Sequence, residues 1–288
     1  MQTNSENAKR VSDIVGSILI SLLLSILFFS FVQGIFNKQS IFFAILQILL
    51  KIWTFVLPFF IAKIIFHYTD IRIPKMKKRD SGYKTVVIIL SVTGMMILLE
   101  LIYSVLFPRA VSLMGISPEK SLLENGLLFL AYVVVPAVAE EMIFRGLVLR
   151  SLCVFRKSLA VLMSALAFAL LHFSVDFFPI AFIFGLLIGI VYVSTGSLFA
   201  VIAIHFLCHA FGFFAEAMVA FSLDPSSLLM QIFVTVCVLL ASFGIPFVKD
   251  TMFALFSDDD EMSVPSSRIW GIPMIIFIVI SVWAQFVF

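Results

Sequence analysis

Three of the four histidines fall in apolar surroundings, where an ionisable group costs free energy. His172 closes the run Phe168-Ala-Leu-Leu-His172, and the other two bracket His205-Phe-Leu-Cys-His209. Upstream stands Glu140-Glu141-Met-Ile-Phe-Arg145. On a helix, His205 and His209 are one turn apart and share a face. That is the spacing zinc uses for two helical histidines. It equally suits two donors converging on one oxyanion. Glu141 and Arg145 have the same spacing with the acid first, the favourable order for an ion pair. Glu140 is turned about 100° from Glu141, which leaves it free to act as a general base. Plainer readings exist for each: a lone histidine is more often a satisfied core residue, and the Glu-Glu-Arg group could mark a helix end.

The elements that carry these residues follow from composition. The 288 residues are 62% hydrophobic and 12% charged, with a mean hydropathy of +1.17. A soluble domain is nearer half apolar and a quarter charged. So few charges cannot cover a water-exposed surface, and the 34 phenylalanines suit contact with acyl chains. The expected class is an all-α, polytopic transmembrane bundle of about eight or nine helices with a polar intramembrane site. Nine apolar segments are candidates: 14–36, 41–66, 85–107, 127–149, 159–173, 178–193, 198–221, 228–248 and 269–287. The fifth and sixth are short. The first is too long for the apolar region of a cleaved signal and lacks a cleavage pattern, so it is expected to be retained. A rise of ~1.5 Å per residue from the helix ends puts Glu140, His172, His205 and His209 roughly 10–22 Å deep, so they can meet.

Charge placement gives the orientation. Lys9, Arg10, Arg72, Lys75, Lys77, Lys78, Arg79, Lys84, Arg145, Arg150, Arg156, Lys157, Lys249 and Arg268 fall on one side, against Lys38, Arg109 and Lys120 on the other. The N-terminus is therefore expected in the cytoplasm, and nine spans would leave the C-terminus outside. The connector 68–84 and the acidic run Asp258, Asp259, Asp260 and Glu261 read as solvated loops. Cys153, Cys208 and Cys237 show no paired spacing and read as small hydrophobes. Lys51, Lys63, His67, Glu100, Glu124 and Glu216 are single polar residues that snorkelling to the interface would explain. In Phe182-Ile-Phe-Gly185-Leu-Leu-Ile-Gly189 the glycines have the small-xxx-small spacing of closely packed membrane helices.

Taken in order, Glu140-Glu141-xxx-Arg145, Phe168-xxx-His172, Phe182-xx-Gly185-xxx-Gly189 and His205-xxx-His209 resemble the four motifs of the CPBP family. These are the CAAX-protease and bacteriocin-processing membrane proteins, related to the type II CAAX prenyl endopeptidase. The resemblance covers roughly 127–214. It implies three parts: N-terminal helices over 1–115, a catalytic core over 116–225 and C-terminal helices over 226–288. The activity it implies is an intramembrane endopeptidase open to the cytoplasm. Glu140 would activate a water, His172 would share or orient that proton, and His205 would stabilise the oxyanion. Glu141 and Arg145 would hold the helix in place, with Phe168, Gly185 and Gly189 as structural support. The family's fourth motif usually ends in Asn or Asp, whereas this chain has His209. A neutral histidine can still donate to an oxyanion, and it also makes metal ligation more plausible. Zinc held by His205, His209 and either His172 or Glu140 therefore stands beside a metal-free glutamate mechanism.

Ser164 and Ser174 lie near His172, and Cys208 lies between the two later histidines, but nothing in the sequence positions any of them as a nucleophile. A non-catalytic immunity or binding protein on the same scaffold is the reading from another class. A proton-coupled transporter is disfavoured, since no matching pair of broken helices is found. The expected partners are membrane lipid and a peptide or membrane-protein substrate, CAAX-type or leader-like, with no nucleic acid. A short N-terminus and the lack of large loops suit a bacterial inner membrane.

Overall fold

The computed structural model describes residues 2–35, 41–69, 76, 82–108, 114–222, 228–257 and 265–287. Most of the 68–84 connector, the acidic run at 258–261, and Lys38 and Arg109 lie outside the described residues. Nine apolar helices are present among the described residues: α1 (Gln2–Ile35), α2 (Ile41–Tyr68), α3 (Gly82–Leu106), α4 (Leu122–Leu152), α5 (Lys157–Leu170), α6 (Phe178–Thr195), α7 (Leu198–Ala220), α8 (Leu228–Ser257) and α9 (Ile272–Ala284). The described residues form no strand. Seven of these helices are long and apolar enough to cross a membrane. The other two, α5 and α9, have 14 and 13 residues. At ~1.5 Å per residue they reach about 21 and 20 Å, short of the ~30 Å hydrocarbon layer. The fold is an all-α polytopic bundle, as the composition predicts.

Several boundaries differ from the apolar runs, each for a local reason. α1 carries its polar start, from Gln2, as helix. α4 begins at Leu122, five residues before its apolar run, because Ser121 and Glu124 form a capping box. There the Ser121 hydroxyl accepts the Glu124 N–H while the Glu124 carboxylate accepts the Ser121 N–H. α6 ends at Gly196, which takes the left-handed conformation (φ 64°) that a helix C-terminus needs and glycine supplies at little cost.

Packing pairs the two ends of the chain. α1 lies against α9 and α2, α3 against α8 and α7, and α5 against α6. On α1 the stripe Val15, Ile18, Leu19 and Leu22 is fully buried, following the 3.6-residue period of one helix face. Ser12 ties α1 to the start of α9: its hydroxyl donates to the Ile269 carbonyl and accepts the Gly271 N–H. The outer faces carry Phe31, Trp53, Phe243 and Trp283, all exposed, as lipid contact requires. The polar groups run the other way, with Glu141, Arg145 and His205 fully buried.

Glycine sets the close crossing of α3 and α8. A Cβ on Gly94 of α3 would sit 2.9 Å from the Cys237 carbonyl oxygen of α8, and one on Gly244 of α8 would sit 3.0 Å from the Ser91 carbonyl oxygen of α3. Each helix thus yields space to the other's backbone. Replacing Gly94 with Val is expected to destabilise the protein by ~1–3 kcal/mol through overpacking. Thermal unfolding in detergent would read this, and activity per folded molecule should not change, because the crossing lies away from the polar cluster.

Candidate active site

The cluster is built around α4, which is not a uniform α-helix. Two π-helical stretches, Leu130–Val134 and Phe144–Leu149, flank the α-helical turn pair Val135–Ile143. The first has a covalent cause. Pro136 has no N–H, so it cannot give the Tyr132 carbonyl the bond an α-helix would supply. One residue earlier, the Val135 N–H donates to the Leu130 carbonyl instead of that of Ala131. Two carbonyls are left over, and side chains from other helices take both. His209 of α7 donates from Nδ1 to the Tyr132 carbonyl at 2.8 Å. Lys51 of α2 donates from Nζ to the Ala131 carbonyl at 2.9 Å. The second π stretch is served the same way, since the buried Ser164 hydroxyl of α5 donates to the Phe144 carbonyl at 3.1 Å.

A continuous polar chain runs from these carbonyls through the bundle. The Arg145 guanidinium donates from Nη1 to Glu141 Oε1 at 2.9 Å and from Nη2 to the Gly185 carbonyl at 3.2 Å. It also stacks over the Phe168 ring, 4.9 Å from the centroid. Glu141 Oε1 meets His205 Nδ1 at 2.7 Å. His205 Nε2 meets His209 Nε2 at 2.9 Å. Gly185 serves twice here, because a Cβ on it would come 2.9 Å from Ala165 Cα. The close approach of α5 and α6 and the carbonyl offered to Arg145 share one residue.

Hydrogen placement follows from what each atom can do. The Tyr132 carbonyl only accepts, so His209 Nδ1 carries a hydrogen. One more lies between the two Nε2 atoms, and one between His205 Nδ1 and Glu141. The single hydrogen between the Nε2 atoms is spent within the pair.

His172 stands at the C-terminal end of α5. Its Nδ1 donates to the Phe168 carbonyl at 2.9 Å, one of the carbonyls that a helix end leaves open. A neutral His172 then presents Nε2 as a bare lone pair. Phe168 fixes the setting: its ring packs against Phe144, His172, Phe184 and His205 with centroids 4.8–6.2 Å apart. Because α5 is short, this helix end stops inside the bundle.

The two glutamates divide as their rotation requires, yet both reach one ring. Glu141 holds His205 Nδ1, while Glu140 Oε2 lies 3.9 Å from His205 Nε2. Glu141 is fully buried, Glu140 keeps 18% of its side-chain surface exposed, and His172 and His209 are partly exposed. Glu140 accepts no hydrogen bond among the described residues. The other nucleophile candidates are engaged or closed off. Ser164 is committed to Phe144, the Ser174 hydroxyl accepts the Phe177 N–H at 3.2 Å, and Cys208 is 1% exposed.

For a metal, the donor chemistry is suitable but the arrangement is not. Each histidine has its Nδ1 anchored on an acceptor, as metal-bound histidines do. However, two Nε2 atoms 2.9 Å apart are closer than the ~3.3 Å that bonds of ~2.0–2.1 Å to one tetrahedral zinc would set. Among the described residues no group of three or more His, Cys, Asp or Glu is gathered to hold an ion.

Of the single polar residues, Lys51 is not explained by snorkelling. It turns inward, because the π turn offers it a carbonyl and Tyr132 a ring face at 4.1 Å. Glu216 also leaves the lipid-facing pattern, accepting the backbone N–H groups of Met114, Gly115 and Ile116 at 2.7–3.0 Å. The legible signal was Pro136 four residues after Tyr132, which frees one carbonyl for a donor elsewhere.

A model of the family described as type II CAAX prenyl endopeptidase, Rce1-like, matches residues 123–211. The match covers under a third of the chain. No curated protein and no solved structure matches the chain. The Rce1-like segment spans α4 to the middle of α7, and so holds Glu140, Glu141, Arg145, His172, His205 and His209 together. Its apolar helices make the chain an integral membrane protein, and the Rce1-like match supports an endopeptidase of the CAAX type in general terms.

Replacing Arg145 with Leu removes one partner of a fully buried ion pair, and a destabilisation of about 3–5 kcal/mol is expected. The double replacement Glu141→Leu/Arg145→Leu should lose less than the two single losses added together, as a double-mutant thermal-unfolding cycle would read. Pro136→Ala returns an N–H to Tyr132. It is expected to loosen His209 by about the ~1 kcal/mol of one hydrogen bond, seen as a several-fold drop in activity without loss of stability.

Proposed function

We propose that the chain is an intramembrane endopeptidase that hydrolyses a peptide bond with water activated by Glu140, without a covalent intermediate. The observation that carries this reading is the unequal pair Glu140–Glu141. One carboxylate is fully buried and committed to Arg145 and His205, and its neighbour keeps 18% of its side-chain surface exposed and accepts no hydrogen bond among the described residues. A general base needs to be within reach of water and of the reacting groups, and Glu140 is the acid that meets both conditions.

In this scheme Glu140 takes a proton from water while the water oxygen bonds to the scissile carbonyl carbon. The proton passes to the departing nitrogen, the C–N bond breaks, and a carboxyl and an amine are released. The lone pair on His172 Nε2 orients the water or relays its proton. His205 and His209 align the reacting groups through the chain that Glu141 and Tyr132 fix. No step is routed through a metal. The substrate would be a membrane-associated peptide or protein, of CAAX type or leader-like. Lys and Arg placement supports a cytoplasmic N-terminus and a site facing that side, and the short N-terminus and lack of large loops support a bacterial inner membrane.

The test is cleavage of a quenched-fluorescent peptide library by detergent-purified protein. Glu140→Gln is expected to lower kcat/KM by ~10²–10⁴-fold, the usual worth of a positioned base, with folding intact. Chelation should leave wild-type cleavage unchanged. Equal cleavage by Glu140→Gln would refute the base, and loss on chelation with recovery on adding zinc would refute the metal-free scheme.

A further inference from the structure

We propose that Lys51, on α2 and outside the matched family segment, is a further catalytic residue: its ammonium meets the negative oxygen formed when water adds to the scissile carbonyl. The proposal rests on the peptidase reading above. It starts from donor accounting. The histidine pair cannot supply that oxygen with a donor, because the one hydrogen between His205 Nε2 and His209 Nε2 is spent between them. His172 offers a lone pair. Lys51 has three N–H donors, of which one goes to the Ala131 carbonyl. Another side of the ammonium faces the Tyr132 ring.

Its charge points the same way. Among the described residues no carboxylate lies within ion-pair distance, 4.0 Å, of Lys51, so the cation is left without an anion in contact. Its Nζ sits on the Ala131 carbonyl, next to the Tyr132 carbonyl that takes His209 Nδ1, and the contacts continue from His209 Nε2 to His205 Nε2 and on to Glu140 Oε2 at 3.9 Å. Lys51 therefore stands at the His209 end of the cluster, with a gap wider than an ion pair between it and Glu140. An ammonium with no anion in contact is costly in an apolar helix, and a substrate oxygen in that gap would complete it. As water adds, the carbonyl π pair moves onto oxygen, and Lys51 donates a hydrogen bond to it. When the C–N bond breaks the pair returns, and the nitrogen leaves with the proton that Glu140 had taken.

The experiment uses a peptide cleaved by the wild type and a phosphinic peptide of the same sequence, which mimics the tetrahedral adduct. For Lys51→Met, kcat is expected to fall ~10²–10³-fold, the usual cost of one oxyanion donor, with KM within a few-fold. Ki for the phosphinic peptide should rise by the factor lost in kcat/KM, and Lys51→Arg should recover part of both. A Lys51→Met enzyme with wild-type kcat, or a loss carried by KM alone, overturns the proposal. So does an unchanged Ki beside a fallen kcat. Lys51→Gln, which keeps a donor without the charge, covers poor folding of Lys51→Met. Failure of both to fold would make Lys51 a packing residue and also overturn it. These outcomes are separate from the fate of the base, which Glu140→Gln decides alone.

Discussion

Arg145 is fully buried, and a charge that cannot reach water must be met by the protein. Glu141, the Gly185 carbonyl and the Phe168 ring meet it from three directions. Those three partners come from α4, α6 and α5, so satisfying one guanidinium fixes the relative placement of three helices. The requirement then passes along the chain. Glu141 faces a histidine, that histidine faces another, and the second needs an acceptor. In an apolar medium each polar group must hand its unsatisfied valence to a neighbour until a backbone carbonyl ends the sequence.

That terminal carbonyl is scarce. Regular helices spend their backbone acceptors internally, which is why they span membranes at all. Pro136 and the adjoining π turn release two acceptors, those of Ala131 and Tyr132, at the level of the bundle where His209 and Lys51 arrive. Strain or irregularity of this kind is often found at functional sites, and here its use is specific. A straight α4 would leave His209 without an orienting partner and Lys51 without an anchor. The irregular helix is what allows α2 and α7 to share one cluster.

Much of this was readable from residue types. Composition gave the class, apolar run length gave nine helices, and the one-turn spacings of Glu141–Arg145 and His205–His209 gave an ion pair and a shared face. What spacing could not give was which nitrogen faces which oxygen. One-turn geometry allowed His205 and His209 to aim at a common oxyanion or metal, whereas their Nε2 atoms aim at each other. Hydropathy also averaged Lys51 into its helix. Whether a lysine in such a run snorkels outward or turns inward depends on an acceptor 80 residues away in sequence, and no window on α2 contains it. The short α5 was visible as a short run, but its value, a helix end delivering His172 to the interior, depends on packing.

The division between Glu140 and Glu141 sets the conditions for moving charge without moving the protein. In the proposed reaction the negative charge is conserved. It begins on Glu140 and relocates to the carbonyl oxygen as the carboxylate takes the proton. A fixed cation that touched Glu140 would stabilise the starting state as much as the adduct and would gain nothing in rate. Lys51 makes no ion-pair contact with Glu140; a gap separates them, with Lys51 held on the carbonyl beside the one that takes His209 Nδ1. The full hydrogen bond becomes available only when an oxygen occupies the gap. Its donors are held in place beforehand by the Ala131 carbonyl and the Tyr132 ring, so little reorganisation accompanies the step. The separation between acid and cation, which in a structural ion pair would be a defect, is what makes the contact selective for the reacting state.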